Sequence, residues 1–302
     1  MSLLTDTGAA PDDAARTTAT RTTTPASAAT TTAPAPSADQ QPSAASTETA
    51  FPAPGSPATS SPASGSPATV APEPDYSVLD NAAWSSLSGE HAHLAEGGDL
   101  VRRYPGDVSP FAAVRTWDDP RVWAAIIDLV GYDADFPAPP ESVALPAGWV
   151  RGDLFAGVQL VETDRLVGRP DEEAVVLGEA DVPEMLDLVA RAKPGPFLPR
   201  THEMGRYVGI RRDGVLAAMA GERLRPTGWT EISAVATDER FRGQGLASRL
   251  VLDVVHHVRE RGARAMMHAA ANNTNAIRLY ESLGFVVRRR NEFGMVHTPA
   301  RP

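Results

Sequence analysis

The residues with the clearest chemical purpose lie at 240 to 250, RFRGQGLASRL, where Gly243 and Gly245 sit one residue apart behind Arg240 and Arg242. A turn of this composition is suited to holding an anion. Glycines let the backbone approach a phosphate with no Cβ in the way, the helix that opens near Leu246 offers unpaired N–H groups and the positive end of its dipole, and two guanidinium groups add forked donors. Two phosphate motifs fail on residue type. A P-loop needs Lys and then Ser or Thr after its last glycine, whereas Gly245 is followed by Leu246, Ala247 and Ser248. A dinucleotide fingerprint needs Gly or Ala where Ser248 stands, and it belongs after the first strand of its fold. Two readings of the stretch stay open: an anion-holding turn, or a plain glycine-rich turn from strand to helix with two surface arginines.

What the chain lacks narrows the chemistry further. With no cysteine in 302 residues there is no disulfide, no thiolate metal site and no cysteine nucleophile. Lys193 is the only lysine, in a loop-like KPGP context, and so the only candidate for covalent catalysis by an amine. A formal net charge of −10 argues against a nucleic-acid partner. Arg288, Arg289 and Arg290 read as a solvated patch at a strand end. The seven histidines show no metal-ligand spacing, with His256 and His257 inside a helix and His91 and His93 in a loop or helix edge, so no metal is expected. No export signal and no stretch fit to span a membrane is evident, which makes a cytoplasmic protein the expectation.

Positioning these residues falls to the ordered part of the chain. Residues 1–74 are mostly Ala, Thr, Ser and Pro, with GSPAT at 55–59 and again at 65–69, and are expected to be a disordered tail. Residues 75–169 read as a small α+β unit, with a helix at 118–131 and strands at 99–104, 111–115 and 157–163. Residues 170–302 alternate more clearly: a strand at 173–178, a helix at 181–193 opened by Asp181, and strands at 206–213, 214–224 and 229–237, the first two joined by a tight turn at Asp213-Gly214. After the glycine turn come a helix at 246–261, a strand at 263–270, a helix at 274–282 and a strand at 285–290. That order predicts an α/β fold with a mixed sheet and helices on both faces.

Arg240-x-x-Gly243-x-Gly245, after a strand and before an amphipathic helix, resembles the acyl-CoA pyrophosphate motif of the GNAT superfamily of N-acetyltransferases, and NNTNAIRLYESLGF at 272–285 is similar to that superfamily's second signature. The likeness covers about 173–298. The segment at 91–111 resembles the less regular N-terminal half of a two-part branch akin to the glycine N-acyltransferase-like proteins, so 75–169 is expected as a degenerate half before the acetyltransferase domain. The resemblance implies acetyl-CoA as co-substrate and direct attack by an amine, small-molecule or peptide, in a ternary complex. It leaves the oligomeric state open. A non-catalytic acyl-CoA-binding module is the alternative, and an NAD-dependent protein is disfavoured by Ser248.

For individual residues the resemblance implies the following. Val235, Ala236 and Thr237 lie along the pantetheine, with an amide near Val235 facing the thioester carbonyl. Arg240, Arg242, Gly243, Gln244, Gly245, Leu246 and Ala247 hold the pyrophosphate. Asn273 and Asn275 reach the pantetheine arm, or Asn273 serves simply as a helix cap. Period-two alternation puts Trp229, Glu231, Ser233, Val235 and Thr237 on one face, and Glu231 is expected as the general base, directly or through water, or else as an arginine's partner. Glu222 is the reserve base, with pairing to Arg223 or Arg225 as its other reading. Tyr280 matches the tyrosine that protonates the departing thiolate. Phe197, Arg200, His202 and Glu203 are expected to border the acceptor.

Overall fold

The computed structural model describes residues 74–302; the tail expected over 1–74 lies, but for Pro74, outside them. In chain order the elements are α1 (Ala82–Ser88), β1 (Glu96–Gly97), β2 (Val101–Arg103), β3 (Ala112–Val114), α2 (Val122–Val130), β4 (Asp135–Pro137), β5 (Val150–Glu162), β6 (Val175–Leu177), α3 (Val182–Ala192), β7 (Tyr207–Arg212), β8 (Val215–Glu222), β9 (Trp229–Thr237), α4 (Leu246–Glu260), β10 (Arg264–Ala270), α5 (Thr274–Leu283) and β11 (Phe285–His297). Among the described residues no helix is long and apolar enough to cross a membrane.

Strands β1 to β3 form a small antiparallel sheet, and the other eight form one mixed sheet in the order β4-β11-β5-β10-β9-β8-β7-β6. The expected mixed α/β architecture is therefore present. Between β7 and β8 the hairpin loop is two residues, Asp213 at φ 50° and Gly214 at φ 78°, the paired positive angles that match the twist of the flanking strands. Strands β9 and β10 are parallel, so they need a crossover, which α4 supplies. Helix α3 carries Pro at its first turn, where no N–H is missed; the carboxylate of Asp181 reaches back to the Gly178 N–H at 2.9 Å instead of capping the helix itself.

Strands β5 and β11 run well past the ends expected from the sequence. They pair antiparallel along most of their length, and β5 lies between β10 and β11. Residues 150–156 are mostly exposed and charged or small, so no alternation marks them; the ladder to β11 is what makes them a strand. Strands from either side of residue 169 thus hydrogen-bond into one sheet.

Four apolar clusters hold these layers. One face of the sheet meets α4 and α5 through Leu250, Val254, Val258, Ile232 and Leu160. On the other face, Met185, Leu188 and Phe197 of the α3 region meet Tyr207, Ala234 and Ala236. Beside them Leu79, Leu87 and Tyr104 cover Trp229 and Met266. Helix α2 packs on Phe136, Trp149 and Val296 at the far end. The segment before β1 is also pinned by hydrogen bonds: Arg225 N donates to Ser86 Oγ at 2.9 Å, and Trp229 Nε1 donates to the Asp75 carbonyl at 3.0 Å.

Candidate active site

Strands β9 and β10 pair through Trp229, Thr230 and Glu231, opposite Arg264, Ala265 and Met266, and then part. Both continue, β9 to Thr237 and β10 to Ala270, so the facing edges beyond Glu231 are left open. A bulge accompanies the parting. Ala234 has φ 52°, and the register with β8 slips between Gly221↔Ser233 and Met219↔Ala236. A non-glycine residue held there costs roughly 1–3 kcal/mol, which the surrounding packing must over-determine.

The bulge overturns the expected face assignment. Ile232 points to the α4 side, but Ala234 and Ala236 point to the α3 side, and Val235 returns to the α4 core. Alternation therefore breaks at Ala234, and Glu231 and Val235 lie on opposite faces.

At the far end of β9 the chain turns through Gly243, φ 79°, and Gly245, φ 72°, into α4. No side chain caps this helix. Among the described residues the backbone N–H groups of residues 243 to 248 donate to nothing, and the first donor after them is Arg249 N, to the Gly245 carbonyl at 3.1 Å. A Cβ on either glycine would meet no atom within 4 Å, so the space over these amides is open. Six free amides at the positive end of a 15-residue helix form an anion cradle.

The two arginines of the turn are used differently. Arg240 is turned back onto Asp238, Nε to Oδ1 at 3.0 Å and Nη2 to Oδ2 at 2.9 Å, and Asp238 also pairs with Arg191. Arg242 is exposed and has no ion pair among the described residues, which leaves its charge free for a ligand. A cavity of about 480 Å³ adjoins the turn, between α3 and residues 237–242. Its walls carry both signs, Glu184, Asp187, Asp238 and Glu239 beside Arg191, Arg240 and Arg242.

Below the open edges, five polar side chains form a row across the sheet. Arg223 grips Glu231 with two bonds, Nε to Oε2 at 2.9 Å and Nη2 to Oε1 at 2.6 Å, and the Leu224 N–H donates to Oε2 at 3.4 Å. From β10, His268 Nδ1 meets Oε1 at 2.8 Å. From β5, Gln159 Nε2 lies 3.0 Å from the Leu79 carbonyl and 3.1 Å from His268 Nε2. From β11, Arg288 Nη1 donates to Gln159 Oε1 at 2.8 Å. Because Gln159 accepts at oxygen, its nitrogen must donate to His268, so His268 accepts at Nε2 and donates from Nδ1: it is the neutral imidazole. Glu231 is fully buried, and burial alone would raise its carboxyl; the charge of Arg223 and the bond from His268 outweigh this and hold it well below the usual carboxylate range.

The other expected residues fall as follows. Glu222 is buried between Arg225, at 2.5 Å, and Arg261, at 2.8 Å. Tyr280 packs against Phe285 in the α4 and α5 core, its hydroxyl hydrogen-bonds to no described residue, and burial pushes it up to about 12. Asn273 caps α5 by accepting from Ala276 N at 3.2 Å, and Asn275 is exposed. Arg200 pairs with Glu203 and Asp107, while Thr201 donates to the Val108 carbonyl at 2.6 Å, which ties this loop to the 105–111 segment. Phe197 is buried against Tyr207. His268 and Gln159 were not singled out from the sequence; the only signal was one histidine in the otherwise apolar strand MMHAAA.

A solved GNAT-family structure from Novosphingobium aromaticivorans DSM 12444 is similar at 37% identity and a TM-score of 0.66, covering 74% of this chain and 99% of that one. The chain belongs to the GNAT family. Within it, the FR47-like protein family model matches residues 207–294, which hold the parted strands, the glycine turn and α5. Among curated relatives, the mycothiol acetyltransferase of Thermomonospora curvata is 40% identical over 75 residues, 24% of this chain and 25% of that protein. The mycothiol acetyltransferase of Mycolicibacterium vanbaalenii is 29% identical over 207 residues, 64% of each chain. The chain thus spans less than two thirds of the length of these two relatives. In this GNAT chain Gln159 and the cover formed by Leu79 and Tyr104 come from outside the FR47-like match.

Proposed function

We propose that the protein is an acetyl-CoA-dependent N-acetyltransferase working by direct attack of an amine on the thioester. The observation that carries this is the row of six free amides at the start of α4, standing at the end of an unpaired strand edge. The amides, with Arg242, hold the pyrophosphate; the open edge of β9 pairs with the pantetheine; an amide near Val235 faces the thioester oxygen. Tyr280 shares the α4 face with Val235, while Glu231 and His268 lie on the other, so the acyl donor and the amine meet from opposite faces of the opening.

In the reaction the amine nitrogen bonds the carbonyl carbon, the carbon–sulfur bond breaks, and the thiolate leaves with the electron pair. Glu231 acts on the amine's proton through a water that takes the place of the long 3.4 Å bond from Leu224, since Arg223 and His268 occupy its other acceptor positions; His268, whose Nε2 already accepts from Gln159, orients the carboxylate and relays no proton. Full proton transfer from a phenol near 12 to a thiolate near 8.5 is uphill by about 5 kcal/mol, so Tyr280 serves as a hydrogen-bond donor to the developing thiolate. The relatives' name makes amines of the mycothiol class the first acceptors to assay. Dependence on acetyl-CoA fits a cytoplasmic protein, and the likeness of 91–111 to the glycine N-acyltransferase-like branch is kept as part of this reading.

The test is calorimetric titration with acetyl-CoA followed by an acceptor screen on the wild-type protein and on Gly245→Asp. Saturable binding and turnover, both lost in a folded Gly245→Asp protein, support the reading. Binding without turnover of any amine favours the non-catalytic acyl-CoA-binding module, and no binding at all sinks both.

A further inference from the structure

We propose that the last turns of α4 carry a site for a divalent transition-metal ion, with His256, His257 and Glu260 as its protein ligands. Taken as a linear sequence, two adjacent histidines show no ligand spacing. The helix changes this, because Glu260 follows at three and four residues and so lies one turn beyond both. His256 Nε2 is 3.5 Å from Glu260 Oε1, His257 Nδ1 is 2.8 Å from Glu260 Oε2, and one ligand atom from each of the three residues lies within 4.8 Å of the other two. Metal bonds of ~2.0–2.2 Å at tetrahedral or octahedral angles separate neighbouring ligand atoms by roughly 3–3.5 Å, so small side-chain rotations close the set.

Two further observations point to a cation there. First, Glu260 has no arginine or lysine partner among the described residues. Arg259 and Arg261, its neighbours in sequence, are turned away, Arg259 to the Leu166 carbonyl and Glu162, Arg261 to Glu222. Second, a buried carboxylate stands behind His257. Asp253 Oδ2 is 3.8 Å from His257 Nε2, and Asp253 is fixed by Asp171 N at 3.0 Å and Arg206 Nη1 at 2.9 Å. If His257 ligates through Nδ1, its Nε2–H faces that carboxylate, the outer arrangement that orients and strengthens imidazole ligands. The platform is held in place by Arg169 N to the Leu252 carbonyl at 3.0 Å, beside Gly168, whose backbone closes on His256.

Two imidazoles and one carboxylate select zinc, nickel or copper over magnesium or calcium, which prefer all-oxygen sites. Three protein ligands leave positions for water. The ion would sit at the negative end of the helix whose positive end forms the anion cradle, and would stabilise that helix without taking part in acyl transfer.

The test is calorimetric titration of the full chain, free of any histidine tag, with ZnCl2 and NiCl2, alongside visible spectroscopy with Co²⁺. Saturable micromolar binding is expected, weakened at least tenfold in His257→Ala and in the solvent-facing Glu260→Gln, and unchanged in His93→Ala. Circular dichroism checks that each variant stays folded. Absence of saturable binding below about 1 mM, equal affinity in the H256A/H257A protein, or tighter binding of Mg²⁺ than of Zn²⁺ would overturn the proposal.

Discussion

His268 on β10 reaches across the parted strands to Glu231 on β9, Nδ1 to Oε1 at 2.8 Å, and closes the base of the opening exactly where backbone pairing stops. The two side chains replace a lost rung of the ladder. Because Gln159 fixes the imidazole as neutral, this contact is a hydrogen bond to a carboxylate and not an ion pair.

Replacing His268 by Ala removes one donor from a buried carboxylate that keeps its arginine. The expected cost is about 1–3 kcal/mol of stability. Acetyl-CoA affinity stays within about twofold of wild type, since the cradle is at the far end of β9, while kcat falls at least tenfold. Urea unfolding, calorimetry and steady-state kinetics separate these effects, and a His268→Ala enzyme with unchanged kcat removes the residue from the mechanism.

Glu231→Gln leaves the Arg223 guanidinium buried without its counter-charge. The loss should be about 3–5 kcal/mol, far more than an exposed ion pair would give. A double replacement of Arg223 and Glu231 by methionine should recover most of that stability while remaining inactive. Equal unfolding midpoints for the single variant and wild type would show that the pair is not a buried charge couple.

Gly245→Ala keeps space but not conformation. At φ 72° an alanine is strained by roughly 1–2 kcal/mol. The turn should relax toward negative φ and misdirect the amides, raising the acetyl-CoA Kd by about tenfold. Gly245→Asp adds a negative charge at the cradle and should raise Kd further; a Kd insensitive to both changes would place the pyrophosphate elsewhere.

Stability should fall on mild acidification because of His91. Burial, then the charge of Arg225, lowers it from 6.5 to about 4 in the folded protein. The unfolded chain therefore takes up a proton that the folded chain refuses. This contribution is fully present above pH 6.5 and is lost as pH falls toward 4, about 3 kcal/mol in all. Glu231, also depressed, contributes above its unfolded value of 4.5 and loses that only below it, so the interval from 6.5 to 4.5 reports His91. A His91→Gln protein should show a flat stability there by urea unfolding, and a slope identical to wild type would reassign the effect.

The sequence by itself determined the turn and the elements that flank it, but not α1, β4 or the full lengths of β5 and β11. Local periodicity places β9 at residues 229–237 and α4 from Leu246, and the two motifs lie on those elements, because helix and strand patterning and glycine turns are written in contiguous residues. Tertiary structure alone decided the rest. The bulge at Ala234 sends Glu231 and Val235 to opposite faces, and β5 enters between β10 and β11 to bring Gln159 to His268, 109 residues away in the chain. Glu231 was visible as a carboxylate near the opening, with pairing to an arginine as one of its two readings, but its complete burial and the contact from His268 were not. Strand register and the parting of two strands depend on pairing between distant segments, and no stretch of a few residues holds that information.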